Sequence, residues 1–312
     1  MPSWILLVIA AQCINAIVSL IDRYIIVSGK IGRPVALAMY VSLLSALSIF
    51  VFLLGLLPLE LGKFAIPTFA HVSSPTLSII GLSLASAVSF IVALIALFQS
   101  FKLAQASDVV PVVSSVSAVA SLLLSFYFLD AKLAPNFLWG FLFLVVGTFL
   151  VAHFRLTKKL VGLTIAAGTL FATHYVVLKV LFAETSFDNA FFWSRIVIAV
   201  TALGVLLCIR HQKKRARVHK TQRATKGGVA LFLLNKALAG LAGILILKAI
   251  ALGDVSIVQA LTGLQFVFLT IFAIFLGHKA PVCVGENCEI KDKIQKIVSI
   301  SIIVTGFVLL FI

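Results

Sequence analysis

Residues 76–101 read TLSIIGLSLASAVSFIVALIALFQSF, without one charged side chain. As a helix this stretch reaches about 39 Å at 1.5 Å per residue, and the hydrocarbon core of a bilayer is about 30 Å thick. The run lacks the alternation of period two that marks a membrane barrel strand. In lipid, backbone N–H and C=O groups must be paired within the segment, which leaves a helix as the reading.

Nine further stretches have the same character, at 4–26, 35–57, 108–129, 136–153, 160–183, 189–209, 228–250, 255–277 and 295–312. The sequence thus predicts an all-α polytopic membrane protein of ten transmembrane helices. Composition agrees. Of 312 residues, 62% are hydrophobic and 11% charged, where soluble domains carry about 45–50% and about 25%. No basic residue precedes Trp4 and the apolar run from it is span-length, so the first stretch reads as a span and not as a cleaved leader.

Basic residues assign the sides. Alternate connectors hold nineteen of the 25 Lys and Arg: Arg23, Lys30 and Arg33; Lys102; Arg155, Lys158 and Lys159; eight within 210–226; and Lys279, Lys291, Lys293 and Lys296. The opposite connectors hold Lys63, Lys132 and the acids Glu60, Asp130, Glu184, Asp188 and Asp254. The positive-inside rule then places both termini off the cytosol, and the expected location is the plasma (cell inner) membrane, as a multi-pass protein. The same connectors account for the net charge of +15. Residues 210–226 contain no Phe, Tyr or Trp to stack a base, so anionic lipid and not nucleic acid is the expected partner.

The two halves echo each other. SFKLAQASDVVPV (100–112) and AIALGDVSIVQAL (249–261) align at an offset of 149, pairing Leu103 with Leu252, Ser107 with Ser256 and Val109 with Val258. At an offset of 156, NAIVSLIDRY (15–24) overlays FATHYVVLKV (171–180), pairing Ala16 with Ala172 and Arg23 with Lys179. A five-helix unit has an odd number of spans, so its second copy enters the bilayer upside down. The expectation is two inverted five-helix repeats (5+5), residues 1–156 and 157–312. Such repeats suit alternating access around a midplane site.

On these patterns the chain resembles the drug/metabolite transporter superfamily, EamA type, over nearly its whole length. Three motifs carry the resemblance. The run A-x-x-S-x-V-V-P-V from Ala104 to Val112 resembles that family's junction between the third and fourth helices. Phe192-Trp193-Ser194-Arg195-Ile196 with Ala199 resembles its R-F-x-x-A pattern, and Arg23 and Lys179 resemble the basic residue closing the first helix of each repeat. The resemblance implies a transporter of metabolites, amino acids or drugs. The chain departs from it at Leu129-Asp130 and Leu276-Gly277-His278, where relatives often carry L-G-E, and at Met39 and Tyr40, where the first half has no Arg matching Arg195.

Polar side chains inside spans are the candidate substrate-binding residues, because a charge near the membrane centre costs a few kcal/mol. Lys236, with Asn235 beside it, lies about 12 Å into its span, and Arg195 about 9 Å. Snorkelling is the competing reading for both. His174 and Tyr175 sit near mid-span, and the imidazole invites a proton-carrying role or a merely hydrogen-bonded one. Lys179 lies near the outer end and reads as interfacial. Gln12, Asn15 and Ser19 share one helix face. Ser114, Ser117, Ser121 and Ser125 form a stripe, matched by Gln259, Thr262, Phe266 and Thr270. Each stripe either lines a path or packs helices. Asp22, Asp108 and Asp254 fall at helix ends, which leaves bases in the interior and favours an anionic or zwitterionic solute. Pro111 is expected in a helix's first turn, with Ser107 or Asp108 as its cap.

The function read from the sequence is a secondary transporter for a small metabolite such as an amino acid or organic acid. The alternatives are a flippase for a lipid-linked intermediate on the same scaffold and a membrane-embedded transferase. H-E-x-x-H, G-x-S-x-G and paired intramembrane acids are all missing from the sequence, so no enzyme activity is expected. No cofactor or metal is expected either. His278, Cys283 and Cys288 are spaced more widely than the two to four residues usual in zinc pairs. A small-molecule substrate and the bilayer are the expected partners, with a homodimer left open.

Overall fold

The computed structural model describes residues 3–27, 34–55, 67–129, 135–150, 157–215, 226–276 and 290–309. No strand occurs among them. The helices are α1 (Ser3–Val27), α2 (Pro34–Leu44), α3 (Val51–Leu54), α4 (Leu77–Leu103), α5 (Ala106–Phe128), α6 (Pro135–Leu150), α7 (Lys158–Glu184), α8 (Phe187–Arg215), α9 (Lys226–Leu252), α10 (Val255–Ala260), α11 (Leu264–Leu276) and α12 (Ile290–Leu309). Eight segments are long and apolar enough to cross a membrane. Shorter apolar stretches occupy Leu138–Leu150 and Val298–Leu309. The chain is a multi-pass membrane protein. Connector residues 216–225, the loop of His278, Cys283 and Cys288, and Lys30, Arg33, Glu60, Lys63, Asp130, Lys132 and Arg155 lie outside the described residues.

Two expected spans are not continuous α-helix. Between α2 and α3, residues Ser45–Phe50 tighten to a 3₁₀ helix. There Ser45 Oγ donates to the Ser42 carbonyl and Ser48 Oγ to the Ser45 carbonyl, both at 2.6 Å. A hydroxyl that occupies the carbonyl three residues back competes with the α ladder, which favours the i→i+3 pattern. The span over 255–277 is broken in the same way by Leu261–Gly263, where Thr262 Oγ1 donates to the Gln259 carbonyl at 2.5 Å.

Two boundaries also shift. α5 begins at Ala106 with Gln105 as its N-cap, so neither Ser107 nor Asp108 caps it. The Gln105 carbonyl takes the amides of Asp108 and Val109 instead. Pro111 consequently lies inside the helix, beyond its first turn. α8 continues past 209 to Arg215, because Lys and Arg are good helix formers and suit a helix C-terminus.

Packing pairs elements far apart in sequence: α1 on α9, α4 on α7, α6 on α12, and α5 on α7 and α10. The first two pairs are antiparallel. Along α1 and α9, Trp4 abuts Gly253, Val18 meets Asn235 and Asp22 meets Lys236. Along α4 and α7, Ser78 meets Glu184, Ser86 meets His174 and Phe90 meets Phe171. One apolar cluster joins α1, α4 and α5, and another joins α1, α9, α10 and α12. A third gathers Phe52, Leu178, Leu181 and Phe191, with the Phe52 and Phe191 rings stacked at 6.0 Å.

Candidate functional site

A cavity of about 640 Å³ opens between these helices near the middle of their length. Its volume is in the range of small-molecule sites, about 300–1,000 Å³. Ten of the twelve candidate residues line it: Gln12, Asn15, Ser114, Ser117, His174, Tyr175, Arg195, Lys236, Gln259 and Thr262. Asn235 and Ser121 do not. Asn235 is fully buried behind Lys236, and the Ser121 hydroxyl donates to the Ala118 carbonyl inside the helix bundle.

Lys236 is not a free base. Asp22, five residues from the end of α1, turns inward and is buried. Lys236 Nζ donates to Asp22 Oδ1 at 2.6 Å and Oδ2 at 2.8 Å, and Asn235 Nδ2 donates to Oδ1 at 2.9 Å. The ammonium also lies 5.7 Å from the Phe98 and Phe232 ring centres. A helix-end position suggested a solvated Asp22; packing of α1 along α9 brings it opposite Lys236 instead. The pair is electrically neutral and joins the first half of the chain to the second.

Arg195 is different. It is buried, with its guanidinium 5.3 Å above the Phe191 ring centre. No carboxylate pairs with it among the described residues, and its Nε has no hydrogen-bond acceptor. Both amide atoms of Gln12 and Nε2 of Gln259 are likewise buried without partners. Orphaned polar groups inside a low-dielectric interior are costly, and these four atoms belong to side chains that line the cavity.

His174 is held through one ring nitrogen. Its Nδ1 lies 2.8 Å from Ser86 Oγ and 3.0 Å from the Ser86 carbonyl, and its ring leans on Phe90 at 4.8 Å. Tyr175 contributes a ring at 5.0 Å from that of His174. Lys179 closes a neighbouring helix end. Its Nζ donates to the carbonyls of Ile250, Ala251 and Gly253 at 2.8, 3.2 and 2.9 Å, closing the C-terminus of α9.

The polar stripes partly line the cavity and partly bond between helices. Gln12, Asn15 and Ser19 face the cavity. Gln265 Nε2 also stitches α11 to that face through the Asn15 carbonyl at 3.0 Å and Ser19 Oγ at 2.8 Å. The two matching stripes meet where Ser117 Oγ donates to Gln259 Oε1 at 3.0 Å. Sequence reasoning missed Asp22 as an interior group, Gln265, the 3₁₀ serines Ser45 and Ser48, and the wall of Phe90, Phe98, Phe101 and Phe171. Ser42, Ser45 and Ser48 at three-residue spacing were a usable signal. The aromatic residues were not, since Phe is common throughout the chain.

Fold and cavity together define a multi-pass helical membrane protein with a polar-spotted chamber at mid-depth. No protein-family model and no curated protein matches the sequence. Solved structures do share its fold. One crystal structure superposes with a TM-score of 0.65 at 15% identity, covering 98% of this chain and 95% of its own. At that identity the likeness shows the fold alone.

Proposed function

We propose that the chain is a secondary transporter of the drug/metabolite transporter type. Its spans would form two inverted five-helix repeats, 1–156 and 157–312, that move a small anionic or zwitterionic metabolite across the cell's bounding membrane by alternating access. The observation that carries this reading is the mid-depth cavity, walled by both halves, with the unpaired Arg195 facing it. Pairing of its one acid with Lys236 moves the role of cargo-binding base from Lys236 to Arg195.

The contacts between halves support the repeat. Exchanging halves turns the α1–α9 pair into the α7–α4 pair and returns α6–α12 to itself. One pair of contacting positions also corresponds, with the side-chain and backbone roles reversed. His174 corresponds to Val18 at the offset of 156, and Ser86 to Asn235 at the offset of 149. His174 bonds the Ser86 backbone, and Asn235 bonds the Val18 backbone. Two halves with matching inner contacts can exchange conformations at little cost, which alternating access requires.

Counterflow in proteoliposomes tests the proposal. Vesicles loaded with a pool of unlabelled organic and amino acids should accumulate a labelled member faster than protein-free vesicles. A protein that moved only a fluorescent lipid-linked probe, and no soluble solute, would instead be a flippase.

A further inference from the structure

Among the described residues, the titratable side chains that line the cavity are Asp22, His174, Tyr175, Arg195 and Lys236. Lys236 and Asp22 cancel, and both Asp22 oxygens are occupied. The His174 Nδ1 is held by Ser86. Among the described residues this leaves one uncompensated positive charge, on Arg195, with the unpartnered amide of Gln12 and the free Nε2 of Gln259 on side chains that line the same chamber. The rest of the wall is apolar and largely aromatic, including Phe90, Leu94, Leu97, Phe98, Phe101 and Phe171. On the α9 side, Gly240 and Gly243 leave open space where a Cβ would stand.

Resting on the transport reading, we infer that the cargo is a singly charged organic anion, a carboxylate carried on a bulky apolar or aromatic body. Charge balance selects it. A carboxylate pairs with Arg195 as a charge-assisted hydrogen bond and takes a donor from Gln12 or Gln259. A second anionic group would be buried without a partner base. The ammonium of a zwitterion would find no free carboxylate, because Asp22 is saturated by Lys236 and Asn235. A cation would meet Arg195 with like charge. Burying an unpaired charge carries a heavy penalty. The aromatic wall rewards burial of a ring, and the volume accepts a two-ring body.

A charge series on one body tests this. The probes are 2-naphthylacetate, 2-naphthylalanine, 2-naphthylethylamine and 2-naphthylmalonate, titrated calorimetrically into the detergent-purified full chain at neutral pH. 2-Naphthylacetate should bind about 30-fold more tightly than each of the other three, the discrimination of a buried charge left unpaired. Arg195→Met should reduce its affinity by a similar factor. Gly243→Phe fills the chamber from a position with open space and should also abolish binding, while eluting and melting like the parent. Equal affinity for the zwitterion, the amine or the dianion, or no affinity for 2-naphthylacetate, overturns the inference.

Transport is scored separately, as exchange of labelled probe in proteoliposomes above the leak of protein-free vesicles. Tight binding of 2-naphthylacetate without such exchange would sink the transport reading and leave the ligand class standing. Exchange of the zwitterion or dianion in preference to the monoanion would sink the ligand class and leave transport standing.

Discussion

Removing either member of the Asp22–Lys236 pair should destabilise the protein far more than removing both. At 2.6 Å and an effective dielectric of about 20, the attraction is about 6 kcal/mol. Desolvation offsets part of it, since the two side chains are only 8% and 6% exposed. Deleting one partner then strands a buried charge at a cost of about 3–5 kcal/mol. Lys236→Met strands Asp22 with Asn235 alone; Asp22→Leu strands Lys236 between Phe98 and Phe232. The double variant Asp22→Leu/Lys236→Met replaces the pair by apolar side chains of similar bulk, a change often neutral. Thermal unfolding in detergent, followed by size-exclusion fluorescence, should therefore rank both single variants well below the double variant and the parent. Single losses that simply add in the double variant would refute the pairing. Singles within about 1 kcal/mol of the parent would restore Lys236 as a solvated group available to cargo.

Other perturbations have equally specific expectations. Lys179→Met removes three bonds to the last carbonyls of α9 and should cost about 1.5–3 kcal/mol, read as a lower melting temperature that Lys179→Arg partly restores. At Gly168 a Cβ would lie 2.7 Å from Val116 Cβ and 2.8 Å from the Val113 carbonyl. Gly168→Val should therefore cost about 1–3 kcal/mol by overpacking, whereas Gly240→Ala, which meets nothing within 4 Å, should melt with the parent. Ser45→Ala/Ser48→Ala frees two carbonyls for α bonding. Converting Ser45–Phe50 from 3₁₀ to α rise should bring spin labels in α2 and α3 about 3 Å closer, and an unchanged distance would mean that the serines do not hold the break.

The membrane class was legible because apolar length is a property of single segments. Residues 76–101 state it without reference to any neighbour, and α4 fills 77–103. Ten of the candidate side chains reached the cavity because polar groups inside spans must face something other than lipid. What stayed hidden were relations between segments. Asp22 looks like a helix-end acid until α9 is laid antiparallel on α1, and only then is Lys236 neutralised. The bonds of Lys179 cannot be foreseen until the end of α9 arrives to take them. The 3₁₀ breaks depend on hydroxyl geometry that an apolar hydropathy profile cannot register.

The proposed alternating access requires the chamber to open to each side of the membrane in turn. A membrane-impermeant thiol reagent tests it on a chain whose four native cysteines are replaced by serine, with Ser114→Cys as the sole reporter inside the chamber. In oriented proteoliposomes the reporter should react from either face, with the favoured face switching when a transported solute is supplied on one side. Reaction from one face only, unaltered by any solute gradient, would contradict alternating access.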